Sequence, residues 1–255
     1  MFSEVFNVVA GVAKKKLSFL SQNPLGYFIA SMLAGVYVGF GIILIYSIGG
    51  QLMGLHAVKM VMGISFGIAL SLVIMAGAEL FTGNNLIMMA GCFAGIVKIG
   101  DVIKLLVVCY LGNWLGAILI ALAFYGTGFL VGGTREFIAV TSAMKMSTPF
   151  FQLIFRGLMC NMLVCICTWC SYKLKSESGK LIIIFWCLFA FITSGYEHCI
   201  ANMTLLTLSL LAPFSTDVGL GGYFYNILVV SLGNMIGGIC FIALPYFLIS
   251  RKNIE

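Results

Sequence analysis

Gly77-Ala78-Glu79-Leu80-Phe81-Thr82-Gly83-Asn84-Asn85-Leu86 carries a carboxylate into an otherwise apolar run, and Ser194-Gly195-Tyr196-Glu197-His198-Cys199-Ile200-Ala201-Asn202-Met203 does so again. In both, a glycine closely precedes the glutamate and an asparagine follows after four intervening residues. An ionisable group at membrane depth costs about 2.5–3.5 kcal/mol on insertion scales, so it marks function by default. Two of them in one repeated motif predict a transporter or channel built from duplicated halves.

The rest of the chain is the membrane these motifs require. It is 62% hydrophobic and only 9% charged, with a mean hydropathy of +1.12. A soluble fold of 255 residues needs far more polar surface. The apolar runs do not alternate with period two, which excludes a membrane barrel. The class is all-α and polytopic. The start lacks the features of a signal peptide, because Lys14-Lys15-Lys16 follows an apolar stretch instead of preceding one. Residues 1–21 read as an amphipathic helix at the cytoplasmic interface, with Phe2, Val5, Phe6, Val9, Val12 and Ala13 on one side and the lysines as an anchor. Residues 22–255 form one transmembrane channel domain.

A spanning helix takes about 20 apolar residues. Six units meet that need, at about 26–48, 60–97, 102–130, 150–172, 181–212 and 223–250. The second and fifth are too long for one straight span, and they contain the glutamate motifs. A span broken mid-membrane at Gly77/Gly83 and at Gly195 explains both length and polarity, since unwound backbone is tolerated where it lines a cavity. With six spans, Lys14, Lys15, Lys16, Lys98, Lys104, Lys173, Lys175, Lys180, Arg251 and Lys252 fall on one side, and Lys59, Arg135, Lys145 and Arg156 on the other. That bias predicts both termini in the cytoplasm. The expected location is a bacterial cell membrane.

The duplication extends past the glutamates. Leu111-Gly112-Asn113-Trp114-Leu115-Gly116 matches Leu232-Gly233-Asn234-Met235-Ile236-Gly237. Three spans per copy turn the second copy upside down, which predicts an inverted 3+3 repeat with halves at about 22–130 and 145–250. Glycine pairs four apart, such as Gly35/Gly39, Gly63/Gly67 and Gly91/Gly95, predict close helix contact, some of it between subunits.

His198 is the sharpest chemical feature, an imidazole beside a carboxylate at a helix break, able to donate to an anion and to exchange a proton near neutral pH. Thr82 offers a hydroxyl in the other motif. Half-helix N-termini favour an anion there. Glu79 and Glu197 read as buried acceptors holding loop N–H groups, with Asn84 and Asn202 as partners. Phe66, Leu70, Leu80, Phe81 and Phe191 flank these motifs as apolar constrictions that exclude hydrated ions. The nine cysteines lie mostly in apolar runs and read as small buried residues. No cofactor, metal or nucleic-acid partner is expected.

With these residues in hand, Ala78-Glu79-Leu80-Phe81-Thr82-Gly83-Asn84 and Gly195-Tyr196-Glu197-His198-Cys199-Ile200-Ala201-Asn202-Met203 resemble the two signature motifs of the formate/nitrite transporter family. Arg156-Gly157-Leu158-Met159-Cys160-Asn161-Met162-Leu163-Val164-Cys165 resembles its fourth-helix segment. The likeness covers about residues 5–250 and is greatest to the family's hydrosulfide channels, while Gly83-Asn84-Asn85 departs from the formate-channel pattern. The resemblance implies an aquaporin-like fold and a homopentamer with one pore per subunit. It implies an outer constriction at Phe66, Phe191 and Val164 and an inner one at Leu70, Leu80 and Phe81, with Thr82 and His198 between them. It places Lys145 in the outer vestibule and Asn161 in the pore.

The expected function is a channel for small monovalent anions, hydrosulfide first and also formate and nitrite, with protonation at or near His198. A neutral-solute channel of the aquaporin kind would carry two Asn-Pro-Ala boxes, whereas the single Asn-Pro here, Asn23-Pro24, is followed by Leu25. An intramembrane thiol redox enzyme, using Cys167 and Cys170 or His198 with Glu197, competes from another class. It lacks a nucleotide loop, a metal cluster and a nucleophile with a partner at suitable spacing.

Overall fold

The computed structural model describes residues 2–251. Lys252, placed by charge on the side of the termini, lies outside the described residues. Helix α1 (Phe2–Gln22) lies against the body of the protein and is followed at once by α2 (Pro24–Gln51). The restart is encoded locally. Asn23 accepts from the Gly26 N–H at 2.9 Å, and Pro24 sits in the first turn, where its missing N–H is no loss.

The second span runs through α3 (Val58–Ser65), α4 (Gly67–Leu72) and a π-helical turn at Val73–Gly77, then breaks and resumes as α5 (Phe81–Phe93). Helix α6 (Ile99–Gly126) completes the first half. In the second half, α7 (Gly132–Met146) precedes α8 (Phe150–Lys173), the broken pair α9 (Glu177–Ser194) and α10 (Cys199–Leu211), and α11 (Leu220–Gly238). The last span continues through a π-helical turn at Ile239–Ala243 into α12 (Leu244–Ser250). All six expected spans are present, displaced by a few residues at their ends, and no strand occurs among the described residues. Helix α7 was not expected. Arg135, Glu136 and Lys145 made the segment too polar for a span, yet it folds as a short amphipathic helix standing before the second half as α1 stands before the first.

Both breaks are three residues of extended backbone, Ala78–Leu80 and Tyr196–His198. Each follows a glycine with positive φ, Gly77 at 80° and Gly195 at 76°, where a side chain would be strained. Gly83 lies inside the first turn of α5 and does not take part in the break, contrary to the sequence expectation. The resumed helices α5 and α10 have 13 residues each, about 20 Å at 1.5 Å per residue, which is too short to cross a hydrocarbon core of about 30 Å. They start inside the protein, at buried Leu80 and His198, and interlock, since α5 packs on α8 and α11 of the other half while α10 packs on α2 and α6.

Close packing is set by glycines. A Cβ on Gly116 would overlap the carbonyl of Met32 in α2, and one on Gly237 would overlap the carbonyl of Leu158 in α8. The opposite face of α6 presents Ile103, Val107, Leu111, Leu115 and Leu119, all exposed. Small residues inward and large apolar ones outward is the order that lipid requires. Gly116→Leu is therefore expected to destabilise the protein by about 3 kcal/mol or more, because a backbone carbonyl has nowhere to yield. Size-exclusion and thermal unfolding in detergent would read this, with Gly126→Leu, whose Cβ meets nothing within 4 Å, as the control.

Candidate functional site

Each break leaves backbone donors and acceptors that helices would have paired, and one asparagine from the third span of the same half takes them up. Asn113 donates to the carbonyls of Ser31 (2.7 Å) and Glu79 (2.8 Å), and its oxygen accepts from the Phe81 N–H at 2.9 Å. Asn234 repeats this, donating to Gly157 (2.7 Å) and Glu197 (2.9 Å) and accepting from the Cys199 N–H at 3.0 Å. The Glu79 N–H goes to the Ala30 carbonyl at 3.1 Å and the Glu197 N–H to the Arg156 carbonyl at 3.2 Å. Asn113 and Asn234 were visible in sequence as part of the repeat, but nothing there assigned them this task.

The carboxylates do something else. From sequence they are expected to accept loop N–H groups; in the structure they accept from side chains. Lys16 donates to both oxygens of Glu79 at 2.6 Å, and Tyr27 and Asn84 add bonds at 3.2 and 3.0 Å. Lys145 meets Glu197 at 2.6 Å and Asn202 donates to it at 2.7 Å. Lys16 belongs to α1 and Lys145 to α7, so each amphipathic helix supplies the cation that neutralises one carboxylate, part-buried Glu79 or buried Glu197. Lys14 and Lys15 stay exposed, but Lys16 turns inward, which a lysine triplet gives no sign of. Lone charges buried this deeply are costly, and pairing with added hydrogen bonds offsets the desolvation.

Two cavities approach each other from opposite sides. One, of about 490 Å³, contains Lys16, Glu79, Asn84 and Lys180 and opens beside α1. The other, of about 330 Å³, contains Lys59, Lys145, Arg156, Glu197 and Asn202 and opens beside α7. The cations that line the two vestibules divide as the sequence charge bias predicted. Between them lies a chamber of only about 10 Å³. Phe66, Phe191 and Val164 meet Leu70 and Leu80 around it, joined by Val38 and Leu188, which sequence did not single out because nothing distinguishes them from lipid-facing neighbours. Phe66 and Phe191 pack edge to face at 5.4 Å. Phe81 does not line this chamber. Its ring packs against Tyr110 at 4.9 Å.

His198 reaches the chamber as its polar group. Its Nδ1 accepts from the Ala201 N–H at 3.2 Å, capping α10, and its Nε2 lies 3.0 Å from Thr82 Oγ1. An amide N–H can only donate, so Nδ1 holds a lone pair and the ring proton is on Nε2. The imidazole is thus neutral and donates to Thr82. Asn161 is fully buried behind this pair, donating to the carbonyls of Thr82 at 3.3 Å and Asn234 at 2.7 Å. Its place is to hold the Thr82 backbone from behind. All nine cysteines are free thiols.

A family model described as Formate/nitrite transporter matches residues 3–248. The chain belongs to the formate/nitrite transporter family. Among relatives in that family, the nitrite transporter NirC of Salmonella typhimurium strain LT2 is 39% identical over 254 residues, covering 99% of this chain and 94% of the relative. NirC of Escherichia coli strain K12 is 40% identical over 253 residues with the same coverage. Of solved structures, an FNT family ion channel superposes with a TM-score of 0.92 at 39% identity, covering 97% of this chain and 99% of that one. A pentameric formate channel with formate bound gives 0.82 at 27%, covering 89% and 97%. Formate/nitrite transporter family members are channels and transporters, not enzymes, so the thiol enzyme considered from sequence is set aside. The six apolar spans make this member a multi-pass membrane transporter.

Proposed function

We propose that the chain is a homopentameric channel for small monovalent anions in a bacterial cell membrane, with both termini cytoplasmic, carrying hydrosulfide and also nitrite and formate. The observation that supports this most is the pairing of two cation-bearing vestibules across a narrow apolar chamber whose polar group is His198. Lysines in each mouth raise the local anion concentration. The apolar ring makes a bare charge costly and a neutral weak acid cheap to move. His198 is the polar group that meets the anion at that barrier, and Thr82, expected from sequence in the path, lies buried behind the chamber lining as its hydrogen-bond partner.

Proton uptake at His198 has a structural condition. Nδ1 takes a proton only by releasing the Ala201 N–H, a cap worth about 1 kcal/mol. An arriving anion stabilises the imidazolium that results, and the freed N–H is a further donor to it. Hydrosulfide suits this route because its conjugate acid is weak. A small ion also asks for less widening of a chamber of about 10 Å³ than a two-oxygen anion does, whereas the similarity to the nitrite transporters NirC speaks for nitrite.

The test is uptake of hydrosulfide, nitrite and formate into proteoliposomes of the purified protein from pH 5 to 9, chosen to bracket histidine titration, against protein-free vesicles. Flux of hydrosulfide above the other two is the expected result. Comparable flux of all three would remove the hydrosulfide preference, and flux of none would remove the channel function itself.

A further inference from the structure

The two vestibules are made of equivalent parts, and one position breaks the equivalence in charge. Ala30 gives its carbonyl to the Glu79 N–H and lines the α1-side vestibule. Its counterpart in the second half, giving its carbonyl to the Glu197 N–H, is Arg156, which lines the α7-side vestibule. The repeat therefore sets a guanidinium in one mouth where the other has a methyl group.

That guanidinium is largely uncommitted. Among the described residues its one side-chain partner is Gln152, at 3.4 Å from Nη2. Glu197, the carboxylate of this vestibule, is already held by Lys145 and Asn202. Lys59 enters the same cavity from α3 with no hydrogen bond or ion pair among the described residues. Its Nζ lies 4.0 Å from where a Cβ on Gly195 would stand, beside the end of α9. Two cations without carboxylate partners thus face about 330 Å³ of open cavity, next to the break that leads to His198.

We propose that Arg156 and Lys59 form a docking subsite for planar two-oxygen anions, nitrite and formate, in the α7-side vestibule ahead of the chamber. This rests on the anion-channel reading and adds where selectivity begins. A guanidinium offers parallel N–H donors spaced to match two oxygens of one planar anion, a geometry an ammonium cannot copy. Hydrosulfide has one acceptor centre and cannot accept the fork in that way. The Lys59 ammonium supplies attraction without shape and serves both kinds of anion. The cavity is roomy enough for the anion to keep part of its hydration, so docking does not require the dehydration that the chamber imposes. The α7-side mouth selects by shape, and the chamber selects by cost of desolvation.

The experiment is initial uptake of nitrite and of hydrosulfide as a function of concentration, in proteoliposomes of the full chain carrying Arg156 or Arg156→Lys. The lysine variant keeps the charge and loses the fork. It should raise the half-saturating nitrite concentration about fivefold, the order expected for loss of one bidentate charge-assisted contact, and leave that of hydrosulfide within about twofold. Equal shifts for both anions, or none for either, would overturn the subsite while leaving the channel intact. Uptake of neither anion by the unaltered protein would be a failure of the channel reading itself. If the variant does not assemble, the unaltered protein still answers through competition. Benzoate, a planar carboxylate too wide for the chamber, should inhibit nitrite uptake more than chloride does at equal concentration, and equal inhibition would overturn the proposal.

Discussion

Asn234→Leu is expected to abolish assembled protein, and with it all anion flux. Leucine has the branching and heavy-atom count of asparagine but bulkier methyls, so the loss would come from stranded polar groups and some overpacking, and not from a cavity. The side chain donates to the Gly157 and Glu197 carbonyls and accepts from the Cys199 N–H, and Asn234 is fully buried. Leaving a buried backbone group unpaired costs about 1–3 kcal/mol. The Gly157 carbonyl lies within α8, so two groups at the break, the Glu197 carbonyl and the Cys199 N–H, are left unpaired. Together they cost about 2–6 kcal/mol, a large share of the roughly 5–15 kcal/mol that holds a typical domain together. Asn113→Leu strands the Phe81 N–H and leaves the Glu79 carbonyl only the weak Cys109 thiol as donor, so it should behave alike though more mildly. Asn234→Asp retains an acceptor for Cys199 but faces two carbonyls with a carboxylate, so it should be no better tolerated. Thermal unfolding in detergent with size-exclusion decides the matter. Unfolding of Asn234→Leu within about 2 °C of the unaltered protein, less than 1 kcal/mol by the usual conversion, would mean that something other than this asparagine holds the break.

The same asparagine shows where sequence stops being informative. The six spans, the inverted repeat and the positions of the two breaks were legible because each has a one-dimensional signal: apolar length, an odd number of spans per copy, and a carboxylate after a glycine. Thr82 and His198 could be singled out, and the structure brings them to 3.0 Å across 116 residues of chain. Partners in three dimensions were not legible. Lys16 sits in a triplet whose other two members are exposed, and only the seating of α1 decides that it is the one to meet Glu79. Helix α7 escaped because a short amphipathic helix with charges has neither the length of a span nor the turn residues of a loop. Val38 and Leu188 line the chamber, yet nothing in an apolar run distinguishes a residue facing a path from one facing lipid. Phe81 and Asn161 were placed at the pore by resemblance, whereas here one packs on Tyr110 and the other stands behind Thr82.

His198→Asn and His198→Phe should separate the two duties of the imidazole. Asparagine is among the best N-cap residues, so the asparagine variant should keep the Ala201 N–H satisfied, assemble normally and retain a neutral donor in the chamber. It cannot titrate. Wild-type flux, above the leak of protein-free vesicles, should rise towards the acid end of the range, because protonation of an imidazole gives the chamber a positive charge and a transferable proton. In His198→Asn that rise should flatten to the slope set by the anion's own protonation. His198→Phe removes cap, donor and charge together. An anion in the chamber then loses a hydrogen bond of the charge-assisted kind, worth about 1.5–3 kcal/mol, and flux should fall by roughly 10- to 100-fold. The stacked approach of Phe191 to the ring at 6.1 Å indicates that an aromatic substitute fits the space, so the loss would not be one of folding. An asparagine variant with the wild-type pH slope would assign the proton to another group and leave His198 as a hydrogen-bond donor only. A phenylalanine variant with undiminished flux would place the path elsewhere, since among the described residues His198 is the chamber side chain that bonds to the Thr82 hydroxyl.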